Sequence, residues 1–335
     1  MIPLESFLPQ GEIISVLSRQ LRDGTMTHAL LITGETGVGK WTLARALAAS
    51  LLCGHPEDKR QPCGKCKACE ESEALTHPDL TVLQLGVPLA PTDTKTSIPV
   101  SDVVEMIKRI GRKGFQNPRR VVIIRRAEDM NTAAQNKLLK TLEEPPEDVF
   151  FLLTCRNAEK LLPTIVSRCR LLMIHPWDDG EILRVLEENG FSGPKAQDAV
   201  REAGGSFGQA LSIMGDGEYW AFREEVIRDF LGTDSRSDIF RISSAWKDRK
   251  DESERLFSVL DRLISRMMHY SLALSGGDGL ESYPPVWKDF AERAEISDYA
   301  ALMEAVSLAR RRTQSSVSFQ AVTEQLILSL MEEVF

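Results

Sequence analysis

No apolar run in this chain approaches the roughly 20 residues that a membrane-spanning helix needs. The opening stretch, Met1-Ile2-Pro3-Leu4-Glu5-Ser6-Phe7, has no basic segment followed by an apolar one, so no signal peptide is expected. Positive charge is not in surplus: 41 Lys and Arg stand against 49 Asp and Glu, a net charge of -8. A protein that binds nucleic acid by itself is usually basic, so DNA contact is expected to be local or shared with partners. Tandem repeats and long low-complexity linkers are absent. Cysteine is scarce, six in 335 residues, yet four fall between positions 53 and 69. That clustering argues against a disulfide scaffold and for a metal in a reducing compartment, which implies a cytoplasmic location. The length suggests two or three domains, and 42% hydrophobic with 27% charged residues is ordinary for a globular chain.

Around one stretch the rest is organised: Gly34-Glu35-Thr36-Gly37-Val38-Gly39-Lys40-Trp41-Thr42. The apolar Ala29–Thr33 precedes it and the helix-forming Leu43–Ala49 follows. Strand, glycine loop and helix in this order form a phosphate-binding P-loop. The glycines let backbone N–H groups turn inward, the helix N-terminus adds partial positive charge, and Lys40 adds a full one. The loop nevertheless lacks its metal ligand. The residue after the lysine should be Ser or Thr, whose hydroxyl holds Mg²⁺, and here it is Trp41. Thr42 cannot simply replace it, because one helical step turns a side chain by about 100°.

A second lack affects the same metal. Val121-Val122-Ile123-Ile124 is short, β-branched and wholly apolar, as a central parallel strand should be. In a P-loop ATPase this strand ends in an acid for the metal, often followed by a second that activates water. Arg125 and Arg126 stand there instead. They are expected to pair with nearby acids such as Glu128 or Asp129.

Cys53, Cys63, Cys66 and Cys69 have the spacing of a tetrahedral Zn²⁺ site. Four thiolates leave no open position, so the zinc is expected to be structural. His55 and His77 lie nearby but break the pattern. A zinc-dependent nucleic-acid module using Lys65 and Lys67 is disfavoured by the acidic balance and the lack of interleaved aromatics. Cys155 and Cys169 read as lone thiols.

Elsewhere, periodicity predicts a first helix ending at Asp23-Gly24, a strand over 80–85 and a loop over 86–99. It then predicts a helix capped by Ser101 and another capped by Asn131 and stopped by Glu143-Glu144-Pro145-Pro146. Strands are expected over 150–154 and 171–174. Alternating strands and helices over about 170 residues indicate a three-layer α/β fold. Short helices with glycine breaks follow over 177–215, and long amphipathic helices over 252–275, 297–311 and 316–334.

Taken together, Gly34–Thr42, the four cysteines, the run Asn136-Lys137-Leu138-Leu139-Lys140-Thr141-Leu142-Glu143-Glu144-Pro145-Pro146 and Ser167-Arg168-Cys169 resemble the AAA+ subunits of the bacterial DNA polymerase III clamp loader. The likeness is specific over residues 1–210 and weak beyond. It implies an α/β AAA+ P-loop core with a parallel sheet over 1–175, carrying the zinc module at 53–69. It further implies a small helical lid over 176–216 and an all-α collar over 217–335 that oligomerises. The implied partners are motor subunits of tau/gamma type and a delta subunit in a hetero-pentameric ring, with the sliding clamp and, through the complex, primed DNA. Membership of the DNA polymerase III holoenzyme follows from the same resemblance.

Motor subunits of that family keep an intact P-loop, a Walker-B acid and a sensor-2 arginine. This chain has Trp41, Arg125-Arg126 and, at the sensor-2 position, Gly208. Three departures in one direction favour the non-hydrolysing member of the ring over an active ATPase motor, the alternative. Gly34, Gly37, Gly39, Lys40 and Thr42 are what is left of a nucleotide site, so ATP binding stays open while intrinsic hydrolysis is not expected. The resemblance also places Arg168 at the subunit boundary, as an arginine finger reaching a neighbour's ATP. From the residues alone, an arginine bonding backbone carbonyls at a strand start is the plainer reading, and Arg170 could do the same.

Overall fold

The computed structural model describes residues 11–55, 62–90, 96–112, 114–233, 235–272, 280, 283–315 and 317–334. The chain start, Pro91 in the expected loop, and the 273–275 end of one expected helix lie outside them. The chain gathers into two compact units: residues 1–188 with 205–209, and residues 189–204 with 210–335.

In the first unit the elements run α1 (Gly11–Asp23), β1 (Ala29–Thr33), α2 (Lys40–Leu52), α3 (Lys67–Glu73), β2 (Leu80–Leu83), α4 (Val100–Ile110) and β3 (Arg120–Ile124). They continue as α5 (Thr132–Glu143), β4 (Val149–Cys155), α6 (Pro163–Val166), β5 (Arg170–Met173) and α7 (Asp179–Glu188). All strand pairs are parallel, in the order β2-β3-β4-β1-β5. Leu31, Val122, Ile124, Phe151 and Leu153 point to one face, where residues of α4 and α5 such as Val103, Met106, Leu138 and Leu142 join them in one apolar cluster. The alternate residues Leu30, Ile32, Val121, Ile123 and Leu152 are also buried. They belong to the opposite face, since strand side chains alternate with period two. Helix α2 contacts β1, β3 and β4 and buries Leu43, Leu47 and Leu51. Both faces are therefore covered, which is why β1 and β3 read as continuous apolar runs. The expected three-layer α/β core is present.

Two local expectations shift. The residue before α4 is Pro99, in an extended conformation, and Ser101 lies inside the first turn, so Ser101 is not the cap. Proline suits that start because its missing N–H would have had no partner in the helix. Strand β2 stops at Leu83, because Gln84 leaves the ladder to bridge Val87. The turn between α4 and β3 closes on a buried carboxylate: Asp79 accepts N–H groups from Phe115 at 2.6 Å, Gln116 at 2.8 Å and Asn117 at 3.0 Å.

The second unit is helical among its described residues: α8 (Pro194–Ala203), most of α9 (Phe207–Gly215), α10 (Tyr219–Val226) with a π-helical extension Ile227–Leu231, and α11 (Arg236–Trp246). Then come α12 (Ser253–Ser271), α13 (Pro285–Arg293), α14 (Ile296–Thr313) and α15 (Phe319–Val334). One apolar cluster built on Phe230, Trp246, Phe257, Phe290 and Tyr299 holds it. Helix α8 is tied in by charge. Its Glu202, with no exposed side-chain surface, accepts from Arg223 at 2.9 Å, Arg266 at 2.8 Å and the Tyr219 hydroxyl at 3.3 Å.

Candidate functional site

The P-loop glycines adopt conformations that other residues avoid: φ is 143° at Gly34, 82° at Gly37 and 102° at Gly39. Space demands glycine as well. A Cβ on Gly34 would overlap the Ile174 carbonyl, and one on Gly37 would overlap the Ser206 hydroxyl. The loop is braced from outside. Gly37 accepts the Gly208 N–H at 3.0 Å, and Val38 accepts the Trp177 indole N–H at 3.0 Å. Trp177 in turn stacks on Phe207 with centroids 5.8 Å apart. Gly208 thus lies directly on the loop, and even a Cβ there would come within 3.1 Å of the Gly37 carbonyl.

The cation of the loop is engaged within it. The Lys40 amine donates to the Gly34 carbonyl at 2.6 Å and the Glu35 carbonyl at 2.5 Å. Burial pulls this ammonium below the ordinary lysine range, and Glu128 is the strongest charge opposing that shift. Trp41 fills the place of the missing hydroxyl residue with a half-buried indole, covered by the Arg125 guanidinium 4.9 Å from its centroid. Thr42 follows, half-buried, in the first turn of α2.

The pairing expected of the two arginines holds for one of them. Arg126, at φ 53°, meets Asp129 at 3.1 Å. Arg125 does not pair with Glu128 or Asp129. Its guanidinium lies over Trp41 and donates to Gln84 at 3.3 Å, since a planar cation is attracted to an indole face. Glu128 was not singled out from sequence as part of this site. One of its oxygens accepts the Arg156 N–H at 3.1 Å, and the other is buried without a hydrogen-bond partner among the described residues. Its lone signal was a position four residues beyond a buried strand, too common to discriminate.

The four cysteines converge. The sulfurs of Cys53, Cys63, Cys66 and Cys69 all lie within 4.8 Å of one another, and Cys63 and Cys69 are 3.8 Å apart. Zn–S bonds of about 2.3 Å in a tetrahedron put sulfurs roughly 3.8 Å apart, so this donor set fits a metal of that size. Burial pushes the Cys53 and Cys69 thiols up. At Cys66 burial also pushes upward, but hydrogen bonds from the Gly54 backbone and neighbouring thiols outweigh it, leaving the thiol at about 6. Four thiolates at this range repel, so full ionisation of the set needs a cation between them. His77 stays apart: it is buried, and its Nδ1 accepts the Asp79 N–H at 3.1 Å. Cys155 ends β4 and Cys169 follows Arg168; neither joins the cluster, and burial pushes both thiols up to about 12.

Arg168 projects from the turn after α6. Its NH1 donates to the Thr164 carbonyl at 2.9 Å and the Ser167 hydroxyl at 3.4 Å, and its NH2 meets the Glu143 carboxylate. Arg170 donates to the Gln20 side-chain carbonyl at 2.8 Å, not to a backbone carbonyl. The structure therefore holds four separate constellations in the first unit: the closed P-loop, the Trp41–Arg125 stack beside it, the cysteine cluster and the Arg168 turn.

Residues 9–178 match the model of the family described as DNA polymerase III, delta subunit. The chain is 26% identical over 328 residues to DNA polymerase III subunit delta' of Bacillus subtilis, covering 96% of each. It is 36% identical over 200 residues to the Escherichia coli subunit of the same name, covering 59% of this chain and 58% of that protein. Against DNA polymerase III subunit tau/gamma of Haemophilus influenzae it is 30% identical over 266 residues, 76% of this chain but only 36% of that protein.

Proposed function

The chain belongs to the DNA polymerase III delta-prime family, and from that premise we propose that it is the non-hydrolysing AAA+ subunit of a bacterial replicative clamp loader. It completes a hetero-pentameric ring with tau/gamma-type and delta subunits, which places the sliding clamp on primed DNA in the cytoplasm. Its organisation is an AAA+ core over 1–175, a lid over 176–216 and a collar over 217–335. No helix among the described residues is long and apolar enough to cross a membrane.

The observation that carries the reading is the state of the P-loop. Motor chemistry needs a hydroxyl and an acid around Mg²⁺ and a lysine free to reach the β- and γ-phosphates. Here an indole capped by a guanidinium stands at the hydroxyl position, and the lysine bonds its own loop. Residual anion binding by Gly34, Gly37, Gly39, Lys40 and Thr42 would be Mg²⁺-independent. The cluster Cys53, Cys63, Cys66 and Cys69 fits a structural zinc, which would cross-link the end of α2 to α3 and supply no reaction chemistry.

A subunit without turnover contributes at its edges. Arg168 acts in trans, its planar and permanently charged guanidinium bridging phosphate oxygens at a neighbour's site as charge develops. Two measurements test this. The purified chain turns over no ATP, and Arg168→Ala, assembled with wild-type motor subunits and clamp, forms the ring with clamp-dependent ATPase reduced. A finger is worth roughly 10³–10⁵ at its own site; unaffected motor sites dilute that in bulk turnover. An ordinary P-loop turnover number by the isolated chain would favour the motor alternative, and unchanged loading kinetics would remove Arg168.

A further inference from the structure

Helix α5 ends on Glu143, followed by Glu144 and then Pro145-Pro146. The last carbonyls of a helix already carry partial negative charge, so two carboxylates there work against the helix. Lys140 is the sole basic residue in that turn. A destabilising placement of this kind calls for an outside cation, and Arg168 supplies it.

The two partners come from separate elements, each locked. Proline ends α5 behind Glu143 and opens α6 ahead of Arg168. The α6 turn is tied down by Ser167 N–H to the Pro163 carbonyl at 2.9 Å and Arg168 N–H to the Ile165 carbonyl at 3.1 Å. The guanidinium is then held at three points: NH1 on the Thr164 carbonyl and the Ser167 hydroxyl, and NH2 on the Glu143 carboxylate. Arginine offers five donors in a rigid fork. The anchors take both NH1 hydrogens and one on NH2, and leave the Nε–H and the second NH2 hydrogen for an incoming ligand. One third of the Arg168 side chain is exposed.

We propose that Glu143 is a positioning residue for Arg168: it presets the guanidinium so that its remaining donors meet the phosphates of a nucleotide held by a neighbouring subunit. The inference rests on reading Arg168 as a finger acting in trans. A long side chain free to sample many rotamers loses that freedom on engagement, and one already held loses less. A carboxylate that engages one nitrogen orients the fork without occupying it. The pair is half-exposed, so its worth is that of an exposed ion pair, roughly two- to fivefold in rate.

The experiment is a double-mutant cycle in the reconstituted ring with wild-type motor subunits, clamp and primed DNA. The four forms are wild type, Glu143→Gln, Arg168→Ala and the pair; Glu143→Ala, which leaves no amide to bond the arginine, is run beside Glu143→Gln. Both Glu143 variants are expected to assemble and to slow turnover about two- to fivefold at the site that Arg168 reaches, a smaller loss in bulk ATPase because the other motor sites are unaffected, with the KM for ATP changed less than twofold. In the Arg168→Ala background they are expected to change nothing further. An impaired Arg168→Ala beside unaffected Glu143 variants overturns the positioning role and leaves the finger standing. Equal losses in both backgrounds reduce Glu143 to a structural residue. Faster turnover on removing the carboxylate makes it a latch that opposes engagement, and overturns the proposal. If Arg168→Ala itself is silent, the finger reading fails first and the inference with it.

Discussion

Gly37→Ala probes whether the P-loop is a braced structural turn. At φ 82° the alanine must adopt a left-handed conformation, which costs about 1–2 kcal/mol. Its Cβ also overlaps the Ser206 hydroxyl, though Ser206 Cβ itself would be 3.3 Å away. Rotation of Ser206 relieves the overlap, but that hydroxyl accepts the Gln209 N–H at 3.2 Å at the start of α9. Losing such a cap costs about 1 kcal/mol. Gly37→Ala should therefore destabilise the first unit by roughly 2–3 kcal/mol, or about 4–12 °C in its melting transition. Ser206→Ala alone should cost about 1 kcal/mol, the cap only. In the double variant the cap is lost once, so the two effects should fall short of additivity by about 1 kcal/mol. Urea unfolding of the four proteins, followed by tryptophan fluorescence in which Trp41 and Trp177 report the first unit, measures the cycle. Strict additivity, or a neutral Gly37→Ala, would mean that the loop and the start of α9 do not touch in solution, and the braced-loop account would be refuted.

Further outcomes follow from the same structure. Cys66→Ser should lose or strongly weaken the bound zinc, read by metal analysis with increased proteolysis near residues 53–69; retention of one zinc per chain means the ligand set is wrong. Cys155 and Cys169, pushed up to about 12 by burial, stay protonated below that value in the folded chain. Mass spectrometry after alkylation at pH 8 should find both unmodified until denaturant is added; prompt labelling contradicts the burial of Cys155 and the partial burial of Cys169. Glu202→Ala should destabilise the helical unit by about 3–5 kcal/mol, because it removes the buried carboxylate that Arg223 and Arg266 share; a loss below about 1 kcal/mol would show that water already screens them.

Much of this protein was legible before any coordinates. The P-loop, the β3 run, the Asn131 cap and the proline stop of α5 are local patterns, set by backbone sterics and side-chain period. The cysteine cluster was legible because metal ligation constrains spacing strongly, and the departures at Trp41 and Arg125-Arg126 because each is a defect at a known register. Tertiary structure decided what those residues do next. That Arg125 lies on Trp41 depends on side chains brought together from the end of β3 and the start of α2, and no spacing rule encodes it, whereas Arg126 takes Asp129 three residues on, a local pair. Gly208 closing on Gly37 joins positions 171 residues apart (208 − 37). Glu128 beside Lys40, and Glu143 on Arg168, arise the same way. Short-range steric and periodic preferences act along the chain and can be read there. Charge pairing, stacking and close backbone approach act through space, so they emerge only once the fold has chosen the neighbours.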